Sequence, residues 1–161
     1  MQINLFCVGR LKAGPERDLV GRYLDRLAKT GPQSGITFGG VTEIVESRAQ
    51  TAEARKVEES TRCRELIAEP RTAVLLFDER GKNLTSRQFA SQIGELRDQG
   101  IQKLVVAIGG PDGHDQSLAQ EARMNISLGK LTWPHQIARV LVAEQLYRAS
   151  AILNNHPYHR D

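Results

Sequence analysis

The chain has 161 residues, enough for one domain with a full hydrophobic core. Hydrophobic content of 40% and charged content of 25% exclude a disordered chain, and no apolar run reaches membrane-spanning length. A formal charge of +3, with a sequence pI of about 9.1, permits a nucleic-acid partner without demanding one.

The first ten residues, MQINLFCVGR, have too short an apolar run for an export signal and no basic segment ahead of it. A cytoplasmic protein is expected. Within them, residues 3–9 (INLFCVG) form a β-rich run closed by Gly9, a first strand. Cys7 falls in this strand, where a buried, inert thiol is the default. It makes no CxxC pair with Cys63, so neither a disulfide nor a zinc ribbon is expected. Residues 15–29 start at Pro15 and place Leu19, Tyr23 and Leu27 on one helical face. Residues 36–45 read as a second strand, weakened by Gly39 and Gly40. Residues 51–69 are charged and helical, ended by Pro70. Residues 72–77 (TAVLLF) are an apolar run of the kind buried in parallel sheets.

The alternation continues. Residues 85–100 open on the cap-type Thr85 and Ser86 and close on Gly100. Residues 103–110 are another buried strand, and 115–125 a short helix with Asp115 as cap. Residues 130–133 (KLTW) read as a short strand stopped by Pro134, and 135–153 as the longest helix. Strand and helix in turn imply an α/β fold, a parallel sheet with helices on its faces, in a single domain over 1–161. The last helix is apolar on more than one face, through Ile137, Val140, Leu141, Leu146 and Ile152. Two readings account for that: a helix central to the core of one chain, or a homodimer interface.

Three connections lie where strands end. The string IGGPDG (108–113) is neither a dinucleotide fingerprint nor a P-loop, and both a plain turn and a ligand loop account for it. DERGK (78–82) follows the strand at 72–77 and puts Asp78 beside the same crevice. LGKLTWPHQ (128–136) carries the only tryptophan, Trp133, a core residue or the wall of a pocket. His135 reads as a plain helix start. Glu144 and Arg148 have the spacing of an intrahelical ion pair, and Arg139 is a charge on a helix so apolar that it needs a partner. The chain closes on NHPYHRD. His156 and His159 lack the ligand pattern of a zinc site, and no metal is expected. Tyrosine, histidine and arginine are side chains suited to gripping an RNA base and phosphate.

Taken together, IGGPDG, KLTWPHQIARVLVAEQLYRA and the terminal NHPYHRD resemble the ribosomal large subunit methyltransferase H family, small enzymes of the SPOUT class. The likeness runs from INLFCVGRLK to the last residue. It implies a SPOUT-type parallel sheet with a carboxyl-terminal trefoil knot, a feature periodicity could not reveal. It implies S-adenosylmethionine as cofactor, held by Phe77, Gly109, Gly110 and the loop Leu128, Gly129, Lys130, Leu131, Thr132 and Trp133. It also implies methylation of N3 of a pseudouridine in large-subunit ribosomal RNA, on the assembled ribosome, by a homodimer. On that basis His159, Arg160 and Tyr158 are the expected catalytic residues: a proton acceptor, a stabiliser of charge on the base, and a group that stacks on or orients it. A SPOUT enzyme acting on transfer RNA is one alternative, disfavoured by the terminal YHRD. A non-catalytic α/β nucleotide- or RNA-binding module is another.

Overall fold

A computed structural model describes residues 1–159. Five strands and five α-helices alternate: β1 (Gln2–Val8), α1 (Pro15–Thr30), β2 (Thr37–Ile44), α2 (Ala52–Ile67), β3 (Thr72–Asn83), α3 (Ser86–Asp98), β4 (Lys103–Ile108), α4 (Gln116–Glu121), β5 (Met124–Ser127) and α5 (His135–Leu153). A short 3₁₀ turn, Gly31–Ser34, links α1 to β2. The strands form one sheet in the order β2-β1-β4-β3-β5, and every pairing is parallel. The expected α/β architecture is therefore present.

Local chemistry accounts for the helix starts. Pro15 opens α1, with Glu16 and Asp18 in its first turn, where the helix dipole favours negative charge. Thr51 caps α2 by accepting the Ala54 N–H. Thr85 and Gln88 form a reciprocal capping box on α3. The core lies on both sheet faces. On one, α1, α3 and α5 cover Leu5, Cys7, Leu75, Leu104 and Val106. On the other, Phe6, Val74, Leu76 and Val105 pack with Cys63 of α2 and Leu118 of α4. Both cysteines are buried and unpaired, and burial pushes each thiol up to about 12.

Helix α5 sits between α1 and α3 and buries Val142, Ala143, Leu146, Tyr147 and Ala149. The core reading of this helix therefore holds within one chain. A second stripe, Ile137, Leu141, Arg148 and Ile152, stays half-buried.

Three expected boundaries are corrected. The strand placed at 72–77 does not stop before DERGK: β3 runs on to Asn83, because Lys82 and Asn83 pair with Ile126 and Ser127 of β5. The fifth strand is MNIS (124–127), not KLTW (130–133), which lies in an irregular loop. Gly129 takes φ +121°, and Ser127 Oγ bonds the Gly129 carbonyl and N–H, turning the chain out of the sheet. The helix placed at 115–125 ends at Glu121, because the Arg123 N–H joins the Val74 carbonyl at 2.9 Å as the chain enters the sheet.

The sheet has one irregularity of consequence. Ile126 of β5 pairs with Phe77 and again with Lys82 of the same long strand β3. Residues 78–81 carry the chain past β5 between those pairings. The crossing is close: a Cβ on Gly81 would lie 2.4 Å from the Ile126 carbonyl carbon, so no larger residue fits.

Candidate active site

The carboxyl ends of β4 and β5, and β3 where it passes them at Phe77 to Arg80, open on a cleft of about 510 Å³. In parallel sheets this is where connecting loops leave room for a ligand. Each of the three connections singled out in the sequence contributes a wall. From β3 come Phe77, Asp78 and Arg80; from β4, Gly109 to Gly113; after β5, Leu128, Gly129, Leu131, Thr132 and Trp133. Lys130 is exposed and does not line the cleft. Leu131 and Trp133 are 73% and 40% exposed, apolar side chains at the rim.

The glycine loop is tight. Gly113, at φ +80°, returns its N–H to the Gly110 carbonyl at 3.0 Å around Pro111 and Asp112. A Cβ on Gly109 would meet the Gly113 backbone at 3.0 Å. One on Gly110 would meet Glu59 Oε2 and Val8 Cγ1 at 3.0 Å. Arg55 of α2 grips Asp112 through Nε at 2.6 Å and Nη2 at 3.2 Å, anchoring the outer end of the loop. That hydrogen-bonded pairing holds the Asp112 carboxyl below its ordinary range. Burial works to raise Asp78, but hydrogen bonds from the Arg80 side chain and backbone prevail and lower it.

Buried groups that the sequence did not single out brace these loops. His114 Nε2 lies 3.2 Å from the Phe77 carbonyl, linking the β3 end to the segment after β4. Burial pushes His114 below its usual value, so a neutral ring donates through Nε2. Glu59 accepts the Ser47 N–H at 2.9 Å directly behind Gly110, and burial raises its carboxyl. At the α5 start, His135 and Ala138 line the cleft. Arg139, one turn on, is 2% exposed and donates to Glu43 at 2.5 Å, to the Val8 carbonyl at 2.8 Å and to the Gly9 carbonyl at 2.5 Å. The partner required for that buried charge is therefore Glu43. The only sequence signal for this cluster was an arginine inside an apolar helix.

The tail takes a different place. After α5, Asn155 adopts φ +53° and the His156 N–H returns to the Ala151 carbonyl at 2.8 Å, which folds the chain back along the helix. The Tyr158 ring packs at 4.6 Å from the Tyr147 ring, with the Arg148 guanidinium 4.8 Å above it. Its hydroxyl donates to Glu144 at 2.9 Å, and Arg148 donates to the same carboxylate oxygen at 2.5 Å. The expected intrahelical pair is thus present, and it carries the tail. Arg148 Nη1 lies 3.3 Å from His159 Nδ1. Neither Tyr158 nor His159 lines the cleft of its own chain. Arg160 lies outside the described residues.

A family model described as "Predicted SPOUT methyltransferase" matches residues 1–159. The chain belongs to the SPOUT methyltransferase family. It is 59% identical over 160 residues to the ribosomal RNA large subunit methyltransferase H of Brucella anthropi, covering 99% of both chains. It is 55% identical over 168 residues to the protein of that name from Brucella abortus, again covering 99% of each. A solved structure of a probable methylase family protein from Haemophilus influenzae Rd KW20 superposes with a TM-score of 0.55 at 11% identity. That match covers 99% of this chain and 70% of the other, and speaks for the fold alone.

As a SPOUT methyltransferase, the chain is an enzyme that needs a methyl donor. The cleft at the three strand ends is its candidate donor site. Among the described residues, no helix is long and apolar enough to cross a membrane, and no group of three or more His, Cys, Asp or Glu side chains is arranged to hold a metal.

Proposed function

We propose that this SPOUT methyltransferase transfers a methyl group from S-adenosylmethionine to N3 of a pseudouridine in large-subunit ribosomal RNA, in the cytoplasm, on the assembled ribosome. Identity of 53–59% over essentially the full length to relatives named ribosomal RNA large subunit methyltransferase H is the observation that carries this reading.

The residues present fit the cofactor. Gly109 and Gly110 let the loop pack tightly on Gly113, Val8 and Glu59 with its backbone at the cleft, and Phe77, Leu128, Leu131 and Trp133 give apolar walls suited to a flat purine. The backbone groups at the ends of β3, β4 and β5 supply donors and acceptors for its edges. When bound, S-adenosylmethionine supplies an electrophilic methyl group on a sulfonium. The doubling of β3 against Ile126 supports a trefoil knot around this site.

The chain's own residues align the base and handle the proton. An imide N3 must lose its proton, and charge then develops on the base oxygens. His159 accepts the proton, Arg160 faces the oxygens, and Tyr158 orients the ring. Because Tyr158 and His159 rest on α5 and not at their own cleft, a homodimer completes each site with the partner's tail. The half-buried stripe of Ile137, Leu141 and Ile152 and the exposed Leu131 and Trp133 supply apolar surface for that contact.

Mass mapping of large-subunit RNA from a strain lacking the protein tests the reading. Loss of one methyl group from a pseudouridine-containing stem-loop is expected. An unchanged methylation pattern would sink it. Absence of S-adenosylmethionine binding in calorimetry would count against the cofactor.

A further inference from the structure

Beside the cleft runs a second groove of about 620 Å³, bounded by the 80–84 end of β3, by α3 and by the start of β5. Three cations line it, Arg80, Lys82 and Arg123, with the amides of Gln88 and Gln92. No aspartate or glutamate stands among its described lining residues, although the chain carries 19 of them. Arg80 is paired with Asp78 at 3.2 Å, whereas Lys82 and Arg123 are exposed and form no ion pair among the described residues. Arg80 lies in the wall that groove and cleft share.

We propose that this groove holds the sugar-phosphate backbone of the RNA substrate and feeds the strand toward the cleft. The inference rests on the ribosomal RNA reading above and adds the surface that grips the strand.

The backbone fixes the cations in place. Gly81 lets the chain press onto β5, which sets Lys82 in the ladder opposite Ile126. Arg123 is tied by its N–H to the Val74 carbonyl. Lys82 and Arg123 therefore stand on two adjacent, hydrogen-bonded segments, a spaced pair on a rigid base. Spaced cations on an open polar groove match a polyanion, whose affinity comes from phosphate neutralisation and counterion release. A protein partner would be expected to fill a desolvated apolar anchor pocket; here Leu84, Met124 and Ile126 are interleaved with three cations and the amides, an arrangement that suits bases beside phosphates. The groove adjoins the cleft through Arg80, so a strand held there reaches the chemistry directly.

The test compares the wild type with a Lys82→Ala/Arg123→Ala double variant and a charge-retaining Lys82→Arg/Arg123→Lys control. The probes are a fluorescent, protein-free stem-loop of large-subunit RNA and intact ribosomes. For the double variant, stem-loop affinity should fall about tenfold at moderate salt. The slope of log affinity against log salt should flatten by roughly 1.4, about 0.7 for each cation removed. KM for ribosomes should rise, kcat at saturation should hold, and S-adenosylmethionine affinity and melting temperature should not move. The control should behave as wild type. Unchanged RNA affinity and salt slope in a folded double variant would overturn the proposal. So would weaker ribosome binding with unchanged stem-loop binding, which would assign the groove to an acidic ribosomal protein. If the wild type binds the stem-loop through these cations yet leaves the pseudouridine of intact ribosomes unmethylated, the groove stands and the substrate reading above fails.

Discussion

Tyr158 donates its hydroxyl hydrogen to Glu144 Oε1 at 2.9 Å, and Arg148 donates to the same oxygen at 2.5 Å. The tail is thereby docked on its own helix, nine residues past His135, or about 13 Å along the axis from the cleft. Burial, then the bond to Glu144, pushes the phenol above its usual value, so Tyr158 remains a neutral donor at any working pH. Tyr158→Phe removes one hydrogen bond to a charged, partly buried acceptor, worth about 1–2 kcal/mol of docking. Amide exchange across residues 155–159 should then speed up roughly tenfold, and methyl transfer should fall while cofactor affinity holds. Unaltered exchange would show that the ring packing alone holds the tail.

Deleting residues 158–161 should abolish transfer and spare cofactor binding, because no described tail side chain lines the cleft of its own chain. A dimer that pairs a tail-less chain with a Gly110→Ala chain separates the two designs. If tails act across the interface, one of its two sites combines an intact glycine loop with an intact tail, and about half of wild-type activity returns. If each tail serves its own chain, neither site is whole and the mixture stays inactive.

The α/β fold and the three strand-end loops were legible because buried parallel strands leave continuous apolar runs such as 72–77 and 103–108. β5 was not. Met124–Ser127 has two polar residues in four, and its strand character comes from pairing with Phe77 and from cover by Gly81. Thr132 and Trp133 have high strand propensity, yet they sit with Leu131 at an open rim between Gly129 and Pro134, and context overrode propensity. The braces were hidden for another reason. His114 meets a carbonyl 37 residues away and Arg139 a carboxylate 96 residues away, separations that no local pattern encodes.

Arg139 ties α5 to the carboxyl end of β1. Arg139→Met would take the guanidinium from the Val8 and Gly9 carbonyls and leave Glu43 with only the Leu11 N–H, at 2.9 Å. Glu43 keeps about a third of its side-chain surface in water, so the cost should lie at the low end for a broken buried pair, about 3 kcal/mol. The urea midpoint measures it. Adding Glu43→Gln should recover part of the loss by removing the orphaned charge. A cost below about 1 kcal/mol would show that water replaces the guanidinium at no penalty.

His114 should impose a pH dependence of one sign. Its pKa is depressed in the folded chain, by burial, while the unfolded value stays near 6.5. Above that value both states are neutral and the residue adds no slope. Below it the unfolded chain gains a proton that the folded chain refuses, so stability falls with pH until the folded pKa is reached. The limiting slope is about 1.4 kcal/mol per pH unit. His135, lowered by burial and by the Arg139 charge, adds in the same sense, and Glu59, whose carboxyl is raised, opposes both. His114→Gln keeps a donor for the Phe77 carbonyl but does not titrate. Unfolding free energies between pH 7.5 and 5.5 should decline less in this variant than in the wild type. Equal slopes would mean that His114 protonates as readily folded as unfolded.

Trp133 is the only tryptophan and stands at the cleft rim, 40% exposed, with Leu131 beside it in the wall. A ligand that fills the cleft must cover part of that surface. S-adenosylmethionine should therefore shift the intrinsic emission to the blue, saturating with the same Kd as calorimetry. Trp133→Ala removes an aromatic wall, which at an exposed rim contributes about 1–2 kcal/mol, so the Kd should rise roughly five- to thirtyfold. Gly109→Ala acts on the opposite wall, where its Cβ would press on the Gly113 backbone, and should weaken the same ligand without altering the emission of the free protein. The two variants together separate a bound cofactor from mere dimer closure over Trp133. Closure alone would depend on protein concentration and survive Gly109→Ala, whereas ligand binding in the cleft would weaken with Gly109→Ala by emission, and with Trp133→Ala by calorimetry, at any protein concentration.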